Sequence, residues 1–154
     1  MKTAVSIFLL SAVTSLGEPA SGSRVPSPNH HFVAVESHDR VTLTDSSGHV
    51  LVADDYHDRD YHPERGCWTR SGRFYVYPLF SRGGHSPWHC PFVVADTHTR
   101  RTYTDSDLHA GAAVTAFELS ADDTISYQVQ GYFRENSTRS FSLAARVAKL
   151  NSAK

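Results

Sequence analysis

The chain has 154 residues and a formal net charge of −1, from 15 basic and 16 acidic side chains with neutral histidines. This length fits one domain, and the lack of a basic excess argues against a nucleic-acid-binding protein. Near its start the chain has a basic residue, Lys2, then an apolar run from Ala4 to Val13 and a small-x-small site at 15–17. That order predicts a secretory signal over residues 1–17, which is too short to span a membrane. We therefore expect an exported protein that is not embedded in a membrane.

Behind the predicted signal, residues 18–28 read EPASGSRVPSP. Proline and serine at this density predict a flexible leader. Residues 29–150 then form a single predicted β-rich domain, because short runs of Val, Thr, Phe and Tyr alternate with Asp, Ser and Gly. A domain of this length is large enough to bury a core of its own.

An internal repeat relates residues 32–49 to residues 92–109 at a constant offset of 60. Each copy predicts a β-hairpin, with strands at 32–37 and 41–45 in the first, so one structural unit is used twice. Alternation along the second strand places its two threonines on one face in both copies. The nine identical pairs are Phe32/Phe92, Val33/Val93, His38/His98, Arg40/Arg100, Thr42/Thr102, Thr44/Thr104, Asp45/Asp105, Ser46/Ser106 and His49/His109.

The predicted fold class is mainly β, a β-sandwich or half-open barrel that contains the internally duplicated hairpin. Two copies are too few for a solenoid, so we expect a pseudo-two-fold relation between them. Residues 112–119 and 141–150 are rich enough in alanine to form short helices, and periodicity leaves helix and strand open there. The further strand candidates are residues 49–53, 73–80, 114–119, 124–133 and 140–148.

Cys67 and Cys90 are the two cysteines of the chain. In an exported protein such a pair predicts one disulfide, which would contribute roughly 3 kcal/mol of stability. Trp68 and Trp88 lie close to them in sequence and predict aromatic packing around the bridge. Asn136 begins an Asn-Ser-Thr sequence, which predicts N-glycosylation on an exposed hairpin tip.

The densest polar stretch is residues 54–64, with two histidines and five carboxylates. These groups could bind a divalent metal, but the stretch lacks the glycine and spaced acids of a calcium loop and has no His-Glu-x-x-His motif. We therefore interpret it as a solvated acidic loop with its own Arg59, and predict neither a metal nor a cofactor. His38 and His98, at equivalent turns, are predicted to pair with nearby side chains, although titration in an acidic compartment stays open.

One stretch resembles an enzyme family. Residues 74–81 read FYVYPLFS, which resembles the central strand of the fungal guanyl-specific ribonucleases, aromatic-aromatic-Glu-aromatic-Pro-aliphatic. Ser86 and Pro87, followed by residues 92–94, resemble the next strand of that family. Residues 109–111 resemble its catalytic His-Thr-Gly. The resemblance implies a related fold.

The same resemblance implies that the catalytic activity has been lost. Val76 stands where the family has its general-base glutamate, and Pro91 or a neighbour stands where it has a phosphate-binding arginine. Without a base and a phosphate clamp, the in-line transfer has no catalyst. Only His109 would remain, so we predict no catalytic residue.

The whole-chain profile of a signal, one short β-rich domain and few cysteines resembles the secreted effector proteins of plant-associated fungi. This resemblance implies a non-enzymatic virulence protein, extracellular or apoplastic, that binds a host protein and modulates host defence. Two alternatives stay open: a secreted ribonuclease-like or metal-dependent hydrolase, and a glycan- or wall-binding protein. Arginine and aromatic side chains are favoured at interfaces. The predicted binding residues are Arg40, Thr42, Thr44, Arg100, Thr102, Thr104, Trp68, Tyr75, Tyr77 and Trp88.

Overall fold

The computed structural model describes residues 22–83, 91–108, 110, 114–129 and 137–152. Within these residues the chain is mainly β, as predicted, and it ends in helix α1 (Leu143–Ser152). The strands are β1 (Ser23–Pro26), β2 (Phe32–Ser37), β3 (Arg40–Asp45), β4 (Val50–Asp55), β5 (Tyr61–Pro63), β6 (Cys67–Trp68), β7 (Phe74–Ser81), β8 (Phe92–Asp96), β9 (Arg101–Thr104), β10 (Val114–Leu119), β11 (Thr124–Val129) and β12 (Ser137–Ser142).

The strands form three antiparallel sheets that follow one another along the chain. Sheet 1 has the order β1-β2-β3-β4, and sheet 3 has the order β10-β11-β12. Sheet 2 has the order β5-β7-β8-β9, and β6 also pairs with β7. Neighbours in sequence are mostly neighbours in the sheets, as expected when connections between strands are short.

Sheet 2 lies between the other two sheets and is buried on both faces. Along β7, Phe74 and Val76 point into a core shared with sheet 3 and α1, whereas Tyr75 and Tyr77 point into a core shared with sheet 1. This division follows from the two-residue period of a strand. A strand covered on both faces is apolar throughout, which explains the unbroken run of β7.

The segments that repeat in the sequence form antiparallel hairpins of the same register. Every residue pair between β8 and β9 has a counterpart between β2 and β3, sixty positions earlier. The registers agree although the turns differ, with two residues in the first hairpin and four in the second. The pairs are Val33–Thr44 and Val93–Thr104, Ala34–Leu43 and Val94–Tyr103, Val35–Thr42 and Ala95–Thr102, and Glu36–Val41 and Asp96–Arg101.

Helix α1 completes the core beside sheet 3. Ser142 precedes the helix, and its hydroxyl oxygen accepts a hydrogen bond of 3.3 Å from the backbone N–H of Ala145, as an N-cap does. Leu143 and Val147 lie one turn apart and are buried on the same side of the helix. Of the two segments left open by the sequence, 141–150 is helical from Leu143 onward, whereas residues 114–119 of the segment 112–119 form β10.

The structure corrects two predictions. Residues 23–26 of the predicted flexible leader form β1, because they pair with β2 and Val25 packs against the core between sheets 1 and 2. Cys67 is a free thiol, so the predicted disulfide with Cys90 is not formed. Cys67 instead lies in the short strand β6, where it pairs with Val76, and burial raises the pKa of its thiol.

Several predicted features lie outside the described residues. They are the signal over residues 1–17, the side chains of Trp88, Cys90 and His109, and the sequon at Asn136. No helix in the described part of the chain is both long enough and apolar enough to cross a membrane.

Candidate interaction surface

Sheet 1 has an open face on the side away from sheet 2. Ala34, Val41 and Leu43 point into the core between the two sheets, so the residues that alternate with them point outward. The strand registers align these outward residues in three rows, which together we call the outward face of sheet 1. The rows are Pro26, Val33, Thr44 and Val50; Arg24, Val35, Thr42 and Ala53; and Ser37, Arg40 and Asp55.

The centre of the outward face combines two valines of β2 with two threonines of β3, and its border carries the charges of Arg24, Arg40 and Asp55. Val33 and Val35 are half-buried, whereas Val50 is 60% exposed. At the border, Arg40 Nη2 lies 3.1 Å from Asp55 Oδ2, and both side chains are more than half exposed. The N–H of His57 and then the Arg40 guanidinium lower the pKa of Asp55, so the pair is charged. A partly apolar centre with a charged rim is compatible with a protein–protein interface.

The corresponding face of sheet 2 is covered by sheet 1. Val93 and Ala95, the counterparts of Val33 and Val35, are 2% and 0% exposed. The register places the side chains of β9 that alternate with Tyr103 on this same side. The residues of sheet 1 that share this core with Val93 and Ala95 are Ala34, Val41, Leu43 and Val52, and Tyr56 directly after β4 belongs to the same core. Equivalent faces of the two hairpins therefore have different surroundings.

The two predicted arginine–threonine sets do not form one surface. Arg40 lies in β3, whereas Arg100 ends the turn between β8 and β9 with a left-handed φ of 54°. Thr102 and Thr104 point toward sheet 1, whereas the threonines of β3 point away from the molecule. The predicted surface is therefore divided, and the outward face retains the β3 half, Arg40, Thr42 and Thr44.

Tyr75 and Tyr77 are core residues, which corrects their prediction as binding residues. Both side chains are fully buried. The Tyr75 hydroxyl donates a hydrogen bond to the Glu36 carboxylate, and the Tyr77 hydroxyl donates one of 3.0 Å to Asp54. Burial, together with these acidic partners, raises the pKa of both phenols. Their position follows from β7 being central in sheet 2, where no face is left for a partner.

Trp68 is partly buried and is held in place by its neighbours. Its indole N–H donates a 2.8 Å hydrogen bond to the backbone oxygen of Val25. Its ring centroid lies 6.2 Å from that of Phe32, in a stacked arrangement, and 5.0 Å from that of Tyr75. The ring is partly buried, so only part of it is accessible to a stacking sugar. Trp68 therefore gives no support to a glycan-binding site.

The polar stretch at residues 54–64 is held by a buried carboxylate. Asp54 accepts hydrogen bonds from the hydroxyls of Tyr56 at 2.6 Å and Tyr77 at 3.0 Å. Arg59 Nη2 lies 3.3 Å from Asp54, and its guanidinium lies 4.7 Å above the Tyr56 ring. Protein donors thus satisfy the carboxylate. In the described part of the chain, no group of three or more His, Cys, Asp or Glu side chains is placed to hold a metal.

Two histidines lie close together, one of them within this stretch. The ring centroids of His38 and His62 are 5.1 Å apart, and His62 Nε2 lies 3.3 Å from a Glu64 oxygen. His62 Nδ1 is buried and has no hydrogen-bond partner among the described atoms. The predicted pairing of His38 is therefore with another imidazole. His98 instead donates its backbone N–H to Asp96 over 3.0 Å.

A serine, a histidine and an aspartate meet in the β3–β4 turn without forming a catalytic triad. Ser47 Oγ lies 3.0 Å and Asp45 Oδ2 lies 3.3 Å from the same ring nitrogen of His49, Nδ1. A triad requires the serine and the carboxylate on different ring nitrogens. The Ser47 hydroxyl and then the N–H groups of His49 and Ser47 lower the pKa of Asp45 to about 2. The three residues stabilise a turn.

The sequence interpretation missed the aliphatic part of the outward face, Val33, Val35, Val50 and Ala53. The available signal was the alternation of the strands. If Val41 and Leu43 face the core, their neighbours face outward, and the register then selects these residues. Nothing local in the sequence distinguishes Val33 from its buried counterpart Val93.

Comparison with known proteins identifies no family. No family model and no curated protein match the chain. Three solved structures are similar to it: the tricorn protease, with 13% identity and a TM-score of 0.49 over 80% of this chain and 14% of that one; a eukaryotic initiation factor, with 15% identity and 0.42 over 82% and 42%; and the β-propeller domain of Cps50 (Swd1) from Myceliophteria thermophila, with 14% identity and 0.37 over 77% and 46%. The chain spans less than half the length of each, and similarity at this level supports no functional inference.

Proposed function

We propose that this chain is a non-enzymatic binding protein that uses the outward face of sheet 1 to bind another protein. The observation that carries the proposal is that this face is open, although its equivalent on sheet 2 is buried. Val93 and Ala95 fill an interface between sheets, whereas Val33 and Val35 face outward. Exposed aliphatic patches rimmed by charge mark interaction sites in many proteins.

The proposal takes the two hairpins as copies of one unit. The common register and the nine identical positions support this. Ala34 and its counterpart Val94 both face the next sheet along the chain. The sheets thus follow one another head to tail, which favours a stacked relation between the copies over a pseudo-two-fold one.

The partner in this proposal is a host protein, and the chain acts outside the cell that makes it. Both parts rest on the resemblance to secreted fungal effectors and on the predicted signal over residues 1–17. The burial of Val76 supports the non-enzymatic interpretation. Val76 occupies the position of the ribonuclease general base and is 0% exposed, in the core between sheets 2 and 3. A base at that position would have no access to substrate.

Affinity capture from an extract of a plausible host tissue tests the proposal, with Arg40→Ala and Arg100→Ala as a matched pair. Both changes remove an exposed guanidinium, but only Arg40 lies on the outward face. We expect the wild type and Arg100→Ala to capture the same protein, and Arg40→Ala to lose at least about 1 kcal/mol of binding.

Two results would contradict the proposal. Capture by Arg40→Ala at the wild-type level would show that the outward face does not bind. Equal loss in both variants would show a contact that depends on overall charge, since the two arginines share no surface.

A further inference from the structure

Strand β4 forms a free edge of sheet 1. Within the part of the chain that the structure describes, β4 pairs with β3 and with no other strand. The N–H of Tyr56, directly after β4, donates a 2.7 Å hydrogen bond to the backbone oxygen of Asp39. Hydrogen-bonded pairs such as this one alternate with non-hydrogen-bonded pairs along an antiparallel ladder. Ala53 and Asp55 are exposed and belong to non-hydrogen-bonded pairs, so their N–H and C=O groups point away from β3.

The other edges of sheets 1 and 2 are protected against pairing. Strand β1 contains Pro26, which has no N–H to donate. At one edge of sheet 2, β6 has only two residues and β5 ends in Pro63. At its other edge, in β9, the N–H of Thr104 donates a 2.8 Å hydrogen bond to Asp107 Oδ2, and its backbone oxygen accepts one of 3.0 Å from the N–H of Leu108. Short strands, prolines and covered backbone groups keep edges from pairing, and β4 has neither a proline nor a cap of this kind.

The free edge of β4 is continuous with the outward face of sheet 1. Val50, Ala53 and Asp55 are the last members of the three rows of that face. A strand added beside β4 would therefore extend each row by one side chain. The bulge of β4 lies between Val50 and Val52, so the edge is regular from Val52 to Asp55. The group that matches a regular strand edge is another extended backbone, because its N–H and C=O groups repeat at the same spacing.

We propose that the protein partner binds by adding an extended segment of its own to β4, as a further strand of sheet 1. Backbone hydrogen bonds join the segment to Ala53 and Asp55. Its outward side chains lie beside those of Val50 and Ala53, where β-branched residues fit best. The assignment of this segment to a host protein rests on the function proposed above, whereas the strand addition rests on the edge of β4.

Hydrogen exchange at the edge amides tests the strand addition on the wild-type chain, residues 18–154. The probe is a synthetic peptide selected on this chain from a random library of peptides of about seven residues, long enough for one strand. We expect the selected peptides to be rich in β-branched residues. When the peptide is bound, the amides of Ala53 and Asp55 should exchange at least about tenfold more slowly in NMR spectra. Binding to side chains of the outward face alone would leave both exchange rates unchanged.

Ala53→Pro tests the same edge by substitution. Proline removes an N–H that points away from β3, so the ladder stays intact and circular dichroism should stay native. The dissociation constant of the peptide should rise at least about tenfold, because a hydrogen bond and the room for a neighbouring strand are lost. Ala53→Ser changes the side chain but keeps the N–H, and should bind the peptide as the wild type does.

Ser140→Pro is the matched control for proline at a strand edge. The N–H of Leu143 donates a 3.0 Å hydrogen bond to the backbone oxygen of Asp123. By the same alternation, the N–H of Ser140 points away from β11, at the free edge of sheet 3. Ser140 is exposed, as Ala53 is. Ser140→Pro should therefore bind the peptide as the wild type does.

Four results would overturn the strand addition. They are a library that yields no binding peptide, exchange at Ala53 and Asp55 that a bound peptide leaves unchanged, wild-type affinity in a folded Ala53→Pro, and equal loss in Ser140→Pro. The exchange experiment uses the wild type, so it decides the matter even if the proline variants misfold. A wild type that dimerises in sedimentation velocity, beside a monomeric Ala53→Pro, would assign the edge to a second copy and overturn the partner segment.

The strand addition and the proposed function fail in different ways. A host protein that Ala53→Pro captures as the wild type does, and that Arg40→Ala loses, removes the strand addition and keeps the function. A peptide that protects the amides of Ala53 and Asp55, together with no host protein captured by any variant, keeps the strand addition and removes the function.

Discussion

At the residue scale, Asp96 shows how this chain satisfies a buried charge. It is fully buried and accepts hydrogen bonds of 2.9 Å from both Nε and Nη2 of Arg73, and of 3.0 Å from His98 N and from Thr99 Oγ1. Burial raises the pKa of Asp96, but Arg73 and the other donors bring it below its usual value overall. Its counterpart Glu36 likewise accepts hydrogen bonds from the segment of β6 and β7. In both hairpins the acid late in the first strand accepts hydrogen bonds from residues in or directly beside β6 and β7.

We predict that Asp96→Asn lowers the free energy of unfolding by about 3 kcal/mol at neutral pH, because Arg73 loses its charged partner inside the protein. The pKa of Asp96 is lower in the folded state than its ordinary value of 3.8. Its stabilisation is therefore complete above pH 3.8 and is lost as the pH falls through the lower folded-state pKa. Urea unfolding of both proteins along a pH series checks this, and a difference that did not shrink in acid would contradict it.

At the scale of elements, the two hairpins differ mainly at their turns. The first turn places His38 and Asp39 between the strands, and Arg40 is already part of β3. The second uses four residues, with the N–H of Arg100 donating a 2.9 Å hydrogen bond to the backbone oxygen of Asp96. Longer hairpin loops commonly end in a left-handed residue of this kind. The backbone of Arg100 is therefore strained, whereas the backbone of Arg40 is not.

We predict that glycine has opposite effects at the two arginines. Arg100→Gly should raise the free energy of unfolding by up to about 1 kcal/mol, because glycine adopts a left-handed φ without a Cβ penalty. Arg40→Gly should lower it by about 1 kcal/mol, because glycine weakens a strand and Asp55 loses its partner. Thermal unfolding of the two variants and the wild type measures these changes in the free energy of unfolding. If both substitutions changed the free energy of unfolding in the same direction, the backbone strain at Arg100 would not distinguish the two turns.

The mainly β character of the chain could be predicted from the sequence, because runs of Val, Thr, Phe and Tyr between turn residues are a local signal. The two-residue period of the strand also places the side chains of Thr42 and Thr44 together on one face, and this is the face that points away from sheet 2. What covers each face could not be predicted, because that depends on the neighbouring sheet and not on the strand. Tyr75 and Tyr77 match the chemistry of an interface, and only their place in a central strand shows them to be core residues.

The cysteine prediction failed for a related reason. Two cysteines in an exported chain favour a disulfide, but a bridge needs a specific geometry between the two residues. Strand β6 holds Cys67 by pairing with β7. The close approach at Gly66 fixes the same segment, since an added Cβ would lie 2.6 Å from the backbone oxygen of Val76. The pairing of β6 with β7 sets the position of Cys67, and this position cannot be read from the spacing of the cysteines in the sequence.

At the scale of the whole molecule, sheet 2 couples the two cores. Every residue of β8 is buried, with Val94 in the core beside sheet 3 and Val93 in the core beside sheet 1. A substitution that loosens either core therefore also loosens the packing of β8. Three sheets that shared no strand could unfold one at a time, but a shared central layer favours a single cooperative transition.

Leu43→Ala and Leu143→Ala test this coupling as a matched pair. Both leucines are fully buried, Leu43 between sheets 1 and 2 and Leu143 in α1 against the core of sheet 3. Each change should cost about 2–5 kcal/mol, from lost burial and the cavity left behind. Because the central sheet belongs to both cores, we expect one transition at lower denaturant in each variant, coincident by tryptophan fluorescence and far-UV circular dichroism. A second, earlier transition in Leu143→Ala alone would mean that sheet 3 and α1 unfold independently. The outward face of sheet 1 would then sit on a smaller unit, made of sheets 1 and 2.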